Sequence, residues 1–547
     1  MNLISNIKFI YQTSDKLLEL NEGLSDGNFY FHVQKSEGKI TFKVIPNKDK
    51  IICKYLSVEI QFGFDIIQWR NHDYKWVNIK KNRIANEYSP KILQLSNGTY
   101  VQSSCIKGCW EVQQKNPNKL YWHFHVNGLR PIFYFNPHRV FYQNDFVIEN
   151  KLEFYLLFTS KNPVEWSRSP IPFSSIFCLT DHCDFDSLYL LEKQRIFLKS
   201  KKIKISKGFF LYHYSKREWN ATFENSGVRE ELLKWVNDGH ELFYHSLSQS
   251  IKSEKDSQND FNSFESPDSL NIIKTWVDHG YQPYNFTMQK SEEGQRFWLE
   301  KIISKGVYNI WNYYDTFEDV NTINQIKVEQ FCPYFILKSS IPLQEKFRLL
   351  LYFHTNEIDI YTYRQFAGSI KKLIKKPDLN AFIDFIPKIS PIIRIFINNF
   401  YKWFLKSHEP TITAKYAPVI FNFSPDLPVR IFQTLAIKNF LSAFSEKSLH
   451  NFVNEAGICI AHTYLASMER HHKGRLFMNM NGDISEGIDK AWTRLSDLIH
   501  SRKIWNPTLS ELVEWVDKFE KIHFEISESG NVFFKGPEEI NTRIIYE

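Results

Sequence analysis

Three apolar runs in this chain stop on acids or histidines. They are Ile176-Phe177-Cys178-Leu179-Thr180-Asp181-His182-Cys183-Asp184, Gly239-His240-Glu241-Leu242-Phe243-Tyr244-His245-Ser246 and Gly457-Ile458-Cys459-Ile460-Ala461-His462-Thr463-Tyr464. A buried strand that delivers Asp and His at its exit makes little sense as core alone, because burying such groups is costly unless they are paired or bound to a metal. Barrel enzymes place ligands and general bases in this way, at the carboxyl ends of neighbouring parallel strands.

The surrounding pattern agrees. From about residue 173 to 320 the chain reads strand–helix–strand, with helices expected over Leu188 to Lys199 and around Leu232, Leu233, Trp235 and Val236, the latter stopped by Asn237-Asp238-Gly239. Repeated units of this kind predict a parallel sheet or barrel. Residues 1 to 170 read differently. Short alternating runs such as Lys39 to Ile45 and Leu120 to Val126 are separated by turn signals, including Asn97-Gly98 and Asn136-Pro137, and predict a β-sandwich. A proline-marked connector, Arg168-Ser169-Pro170-Ile171-Pro172, leads out of it.

The expected organisation is therefore α/β plus all-β: a β-rich sandwich over 1–170, the first part of a barrel over 171–320, an insertion over 321–450, and the last part of the barrel with a C-terminal hairpin over 451–547. The insertion reads as helical patches at Leu343 to Phe353, Arg364 to Leu373 and Val429 to Phe444, with a strand-like Pro418 to Phe423. Ser250 to Asp268 reads as a polar exposed loop. Thr508 and Glu511 form a capping box ahead of a helix, and Phe524 to Ile526 with Val532 to Phe534 form the hairpin.

Composition narrows the partners. A formal net charge of +7 on 547 residues, with no dense Lys/Arg cluster, argues against nucleic-acid binding. Seven scattered cysteines with no CxxC pair favour a reducing compartment, and the first residues lack an apolar export segment, so a cytoplasmic location is expected. Phe385 to Leu405 is the most membrane-like stretch. Pro387, Lys388, Pro391, Arg394 and Lys402 interrupt it, which leaves a buried or partner-facing helix, or peripheral contact with a membrane surface.

Gly239-His240-Glu241-Leu242-Phe243-Tyr244-His245-Ser246-Leu247-Ser248-Gln249 resembles the second motif of the polysaccharide deacetylase (NodB-homology) family, Gly-His-Glu-x-x-x-His-Thr/Ser-x-x-His. Leu179-Thr180-Asp181-His182 is similar to its first motif, Thr-Phe-Asp-Asp, and Ile460-Ala461-His462 to its last. The resemblance spans about 173–320 and 450–520. It implies a distorted (β/α) barrel that hydrolyses an N-acyl group, N-acetyl in most members, from an amino sugar, with a divalent metal, zinc above all. It also implies Asp181 as general base and His462 as general acid.

The departures lie at the metal. His182 stands where the family has its metal Asp, and Gln249 where it has its second His. Asp184 and the Asp278-His279 pair are the nearby replacements, and His182, His245 and His279 would make a three-nitrogen site with an open fourth position. Asn312 and Asp315, in Ile310-Trp311-Asn312-Tyr313-Tyr314-Asp315, orient His462 or line the sugar pocket. Trp166 and Trp276 stack on sugars or pack between layers. His240 reads as structural, and His471-His472 as solvated surface. Cys183 is on the opposite strand face from His182, which argues against Cys–His catalysis. The alternative function is a catalytically silent, glycan-binding relative.

Overall fold

The computed structural model describes residues 3–546 except 14–15, 80–82, 137, 144, 215–219, 251–252, 271–272, 281, 290, 318–321, 328–331, 340–341, 354–356, 376–377, 411–413, 425 and 470–473. Its amino-terminal unit is a sandwich of a six-stranded and a seven-stranded sheet, antiparallel throughout. Alternation along strands such as Tyr55–Phe62 and Phe29–Ser36 turns one face of each inward, and Phe9, Phe31, Val58, Trp110, Trp122 and Leu156 fill the space between the sheets.

Seven parallel strands then close into a barrel: Ser175–Asp181, Ser206–Phe209, Glu241–His245, Thr275–Val277, Asn309–Phe317, Arg430–Ala436 and Ile458–Thr463. Their alternation sorts the side chains. Ile176, Cys178, Phe243, Val277 and Trp311 point into the barrel, whereas Phe177, Leu179, Tyr244 and Trp276 point out against the helices. By the same parity His182 and His245 continue the inward row at the carboxyl ends.

The barrel has a seam. The first strand pairs with the second only at Thr180–Ser206 and Asp181–Lys207, while its beginning pairs instead with Ile504–Trp505. Asn506 bridges the gap between the two strands. Its Nδ2 donates to the carbonyls of Phe177 (2.9 Å) and Lys204 (3.2 Å), and its Oδ1 accepts from the Lys204 amide at 2.8 Å. The helix Leu509–Asp517, which carries the capping box expected at Thr508 and Glu511, plugs the amino end of the barrel with Leu509, Leu512 and Val513. Glu241 anchors that helix by accepting from the Ser510 amide and hydroxyl, at 3.0 and 2.5 Å. One strand therefore braces the bottom with Glu241 and serves the top with His245.

Two expectations need correction. Val429 to Phe444 is not a helix: Arg430–Ala436 is the sixth barrel strand, followed by a short helix, Phe440–Ala443. Neighbours on both sides and layers on both faces bury it, so its sequence shows no period-two alternation to betray it. The Ser250 to Asp268 segment contains a helix, Glu254–Ser263, capped by Ser253 and held down by buried Phe261. The expected C-terminal hairpin is present, His523–Ile526 with Val532–Lys535, and it packs on the sandwich: the Phe524 amide donates to Ser104 O at 2.7 Å, and beyond it Thr542–Ile544 pairs with Val164–Trp166. The proline-marked connector leads into the first barrel strand as expected and also acts as a clamp, since buried Arg168 donates to the carbonyls of Tyr88 (2.8 Å) and Ala456 (3.0 Å) and so joins sandwich to barrel.

The insertion between the fifth and sixth strands is largely helical around its own small core of Ile336, Leu350 and Trp403. Among the described residues no helix is long and apolar enough to cross a membrane.

Candidate metal centre

The first strand ends at Asp181, so the next three residues turn over the mouth of the barrel. His182 stays inward, and Asp184 swings back beside His245 from the third strand. The His245 Nε2 to Asp184 Oδ2 distance is 3.1 Å, and the other carboxylate oxygen lies 2.9 Å from His279 Nδ1. His182, Asp184 and His245 are all buried, and among the described residues they are the one group of His, Cys, Asp and Glu close enough to hold a metal ion.

The hydrogen bonding exposes a conflict that a cation resolves. His245 Nδ1 lies 3.3 Å from the Val277 carbonyl, which can only accept, so Nδ1 carries the proton. That leaves a lone pair on Nε2, facing Asp184 Oδ2 at 3.1 Å and His279 Nδ1 at 3.1 Å. Burial disfavours charging the ring and pushes the His245 pKa down, despite the carboxylate beside it. Burial, followed by the neighbouring rings of His462 and His245, pushes His182 well below the usual histidine range. Burial opposes ionisation of Asp184, but His279 and His245 override it and hold the carboxyl well below its ordinary value. Depressed basicity at His182 and His245 beside an ionised Asp184 favours the protonation state a metal ion requires. His182 Nδ1 is buried with no hydrogen-bond partner.

His462, on the seventh strand, stacks on His182 with ring centroids 3.9 Å apart. Both oxygens of Asp315 lie 2.9 Å from His462 Nδ1. A register shift in the fifth strand between Trp311 and Asp315, with Tyr313 at a φ of 49°, brings Asp315 there. Thr434 completes the chain: Trp311 Nε1 donates to Thr434 Oγ1 at 2.8 Å, and that hydroxyl donates to Asp315 Oδ1 at 2.6 Å. A pocket of about 370 Å³ opens above, walled by Phe185, Trp311, Tyr313 and Tyr464, with Gln249 and Glu469 among its polar groups.

Several expected residues fall elsewhere. Asp181 faces the helices. It is buried, bound by the Lys207 ammonium on Oδ2, and accepts from Thr463 Oγ1 (3.0 Å) and the Leu465 amide (2.7 Å) on Oδ1. Lys207 also pairs with Asp186 at 2.6 Å; burial alone would push its pKa down, but the two acids hold it up. Trp276 is a core side chain with no exposure, set among Phe261, Tyr284 and Trp298, and its indole donates to Asp278 at 2.8 Å. Asn312 is also fully buried, accepting from the Phe133 amide (3.0 Å) and donating to Pro131 O (2.7 Å), which ties the barrel to the hairpin Pro131–Asn136/His138–Gln143. Trp166 is buried against Phe519.

His279 is the one member of the expected three-nitrogen set that sits at the rim, partly exposed, and Asp184 takes the closer place. His240 accepts from the Ile205 amide at 3.2 Å, beneath the site. Cys183 points into the helix-facing core, where burial pushes its thiol well up. His471 and His472 lie outside the described residues. The pocket walls Trp311 and Tyr464 were not singled out by sequence, although Trp311 shares the inward parity of Tyr313.

No family model and no curated protein matches the chain. Among solved structures, the cycloalternan-degrading enzyme from Trueperella pyogenes aligns over 100% of this chain and 93% of its own, at 8% identity and a TM-score of 0.26. The same enzyme in complex with isomaltose aligns with the same figures. At that TM-score the likeness carries nothing about the reaction of this chain.

Proposed function

We propose that the chain is a metal-dependent hydrolase that removes an N-acyl group, N-acetyl in the first instance, from an amino sugar, as the resemblance to polysaccharide deacetylases implies. The observation that carries this reading is the Asp315–His462 pair stacked 3.9 Å from His182, next to a buried His182, Asp184 and His245 cluster. The donor set fits a divalent cation, zinc by its nitrogen-rich composition: two imidazoles with depressed basicity, one carboxylate and a buried, unpartnered nitrogen on His182. His182, Asp184 and His245 would hold it, with His279 at the rim. Bound there, the ion would polarise an acyl carbonyl and acidify a water.

The side chains supply the rest. The Val277 carbonyl fixes the tautomer of His245, and Asp184 orients His279. Asp315 holds His462 by Nδ1 and would stabilise the imidazolium formed when the free Nε2 of the neutral ring takes a proton from the attacking water, a proton that Nε2 then gives to the leaving amine. Trp311, Tyr313 and Tyr464 offer ring faces to a sugar. Asp181, tied to Lys207, braces the strand end in this reading. A cytoplasmic location would make the substrate an intracellular precursor sugar.

The test is metal content by plasma mass spectrometry on wild type, His182→Ala and His245→Ala without added metal, followed by acetate release from N-acetylated sugars. Near-stoichiometric zinc in wild type, lost in both variants, together with acetate release, supports the proposal. A wild type that stays metal-free after reconstitution sinks it. One observation favours a second reading, a catalytically silent glycan-binding protein: Asp181, the base by resemblance, is committed to Lys207 and away from the pocket. That protein would bind sugars and release no acetate.

A further inference from the structure

The insertion carries an apolar surface out of proportion to its length. Of the thirty large hydrophobic side chains exposed among the described residues, eleven fall between Leu379 and Leu405. This segment is helical throughout, with turns of differing pitch over Leu379–Phe385, Ile386–Lys388, Ile389–Phe400 and Tyr401–Leu405. Ile386, Ile393, Ile397, Phe400 and Phe404 recur at spacings of three, four and seven and form one outward stripe, while Ile395, Asn399 and Trp403 face inward. An exposed stripe of this extent on a folded protein marks an interaction surface.

We propose that this stripe seats the protein on the surface of an anionic lipid bilayer. Charge identifies the occupant. Between Asp384 and Glu409 the sequence has no acid but four bases, Lys388, Arg394, Lys402 and Lys406; Lys388 is paired with Asp384 at 2.8 Å and Lys406 with Glu409 at 3.5 Å, and Asp359 and Glu409 act on Lys402. Arg394 and Lys402 are exposed beside the stripe. A second copy meeting this face about a two-fold axis would set the same patch against itself and bring together, from each copy, four bases against two acids, Asp384 and Glu409, an excess of positive charge with no partner. Lipid phosphates supply the missing anions, and the apolar ridge enters the headgroup–acyl boundary lying flat. Among the described residues no helix is long and apolar enough to cross a bilayer, so the contact proposed is with its surface. The insertion leaves the barrel after the fifth strand, whose carboxyl end carries Asp315, so the bilayer-facing element is joined to the pocket end of the barrel. The inference does not depend on the hydrolase reading.

The experiment is flotation of the full chain with vesicles of phosphatidylcholine alone and of phosphatidylcholine mixed with phosphatidylglycerol. Ile393→Glu/Phe396→Glu and Arg394→Glu/Lys402→Glu are run alongside. Ile393 and Phe396 are 55% and 57% exposed, so their replacement leaves the fold intact, and circular dichroism with thermal melting verifies it. The expected result is flotation with the mixed vesicles, weakened about tenfold or more by the apolar double variant. The charge double variant should lose the preference for phosphatidylglycerol. Absence of flotation, or flotation indifferent to both variants, overturns the proposal. So does a wild-type dimer in analytical ultracentrifugation that ignores vesicles and dissociates in the apolar variant, which would assign the face to a second copy.

Discussion

Asp315 holds His462 symmetrically, with both carboxylate oxygens 2.9 Å from Nδ1, and leaves His462 Nε2 buried without a hydrogen-bond partner. A carboxylate there can only accept, so it fixes the proton on Nδ1, and its charge stabilises the imidazolium; an amide is uncharged and can donate to Nδ1 instead, which favours the other tautomer. Asp315→Asn is therefore expected to lower kcat for acetate release by about a hundredfold or more, with metal content unchanged. Steady-state rates and metal analysis on the same preparation check this. Loss of the metal together with activity would instead assign Asp315 and His462 to the metal site.

Asp184 touches two histidines at once, so its removal should be felt in metal affinity before anything else. Asp184→Asn is expected to weaken zinc binding by at least about tenfold, measured by competition with a chelating dye. In wild type, saturating zinc should stabilise the fold by about 3 kcal/mol at a hundredfold excess over Kd, and a chelator should reverse the gain in a thermal melt.

Lys207 sits fully buried between Asp181 and Asp186. Lys207→Met would strand two carboxylates in the core and is expected to cost about 3–5 kcal/mol in urea unfolding. Adding Asp181→Asn should recover part of that loss. The single Asp181→Asn variant separates a brace from a base: lowered stability with retained turnover is expected, and abolished turnover in a stable, metal-loaded protein would restore Asp181 as the general base.

Burial lowers the His240 pKa from 6.5 to about 4. Above pH 6.5 neither folded nor unfolded chain protonates this ring, and its contribution is fully present. Between pH 6.5 and 4 the unfolded chain binds the proton more readily, so stability falls as pH falls, by at most about 3 kcal/mol from this group. His182 and His245 shift in the same direction. In His240→Asn the new carbonyl can still accept from the Ile205 amide, so neutral-pH stability should hold while the acid slope shrinks by up to about one proton. Denaturant midpoints at a series of pH values measure it.

The sandwich and barrel were legible because alternation and strand-end acids are local signals. The sixth strand was not, since a strand buried on both faces carries no alternation. Strand parity could have moved Trp276 into the core: if His279 and Val277 point inward, Trp276 must point out. The exchange of His279 for Asp184 depended on where the first strand stops, a matter of one or two residues that periodicity does not resolve. Asn312 was illegible in principle, because its partners Phe133 and Pro131 come from a hairpin some 180 positions earlier.

The seam closed by Asn506 has a consequence for how the chain is made. Asn506 reaches Phe177 across 329 residues of sequence. At about 5–20 residues per second, a ribosome needs on the order of half a minute to deliver it after the first strand has emerged. Throughout that interval the first two strands present open edges to the cell, beside an already synthesised sandwich. Faster synthesis or chaperone capture shortens or shields that exposure, and a chain cut short of Ile504 would keep the exposed edge for good, with every residue of the metal centre present and no closed barrel to hold them.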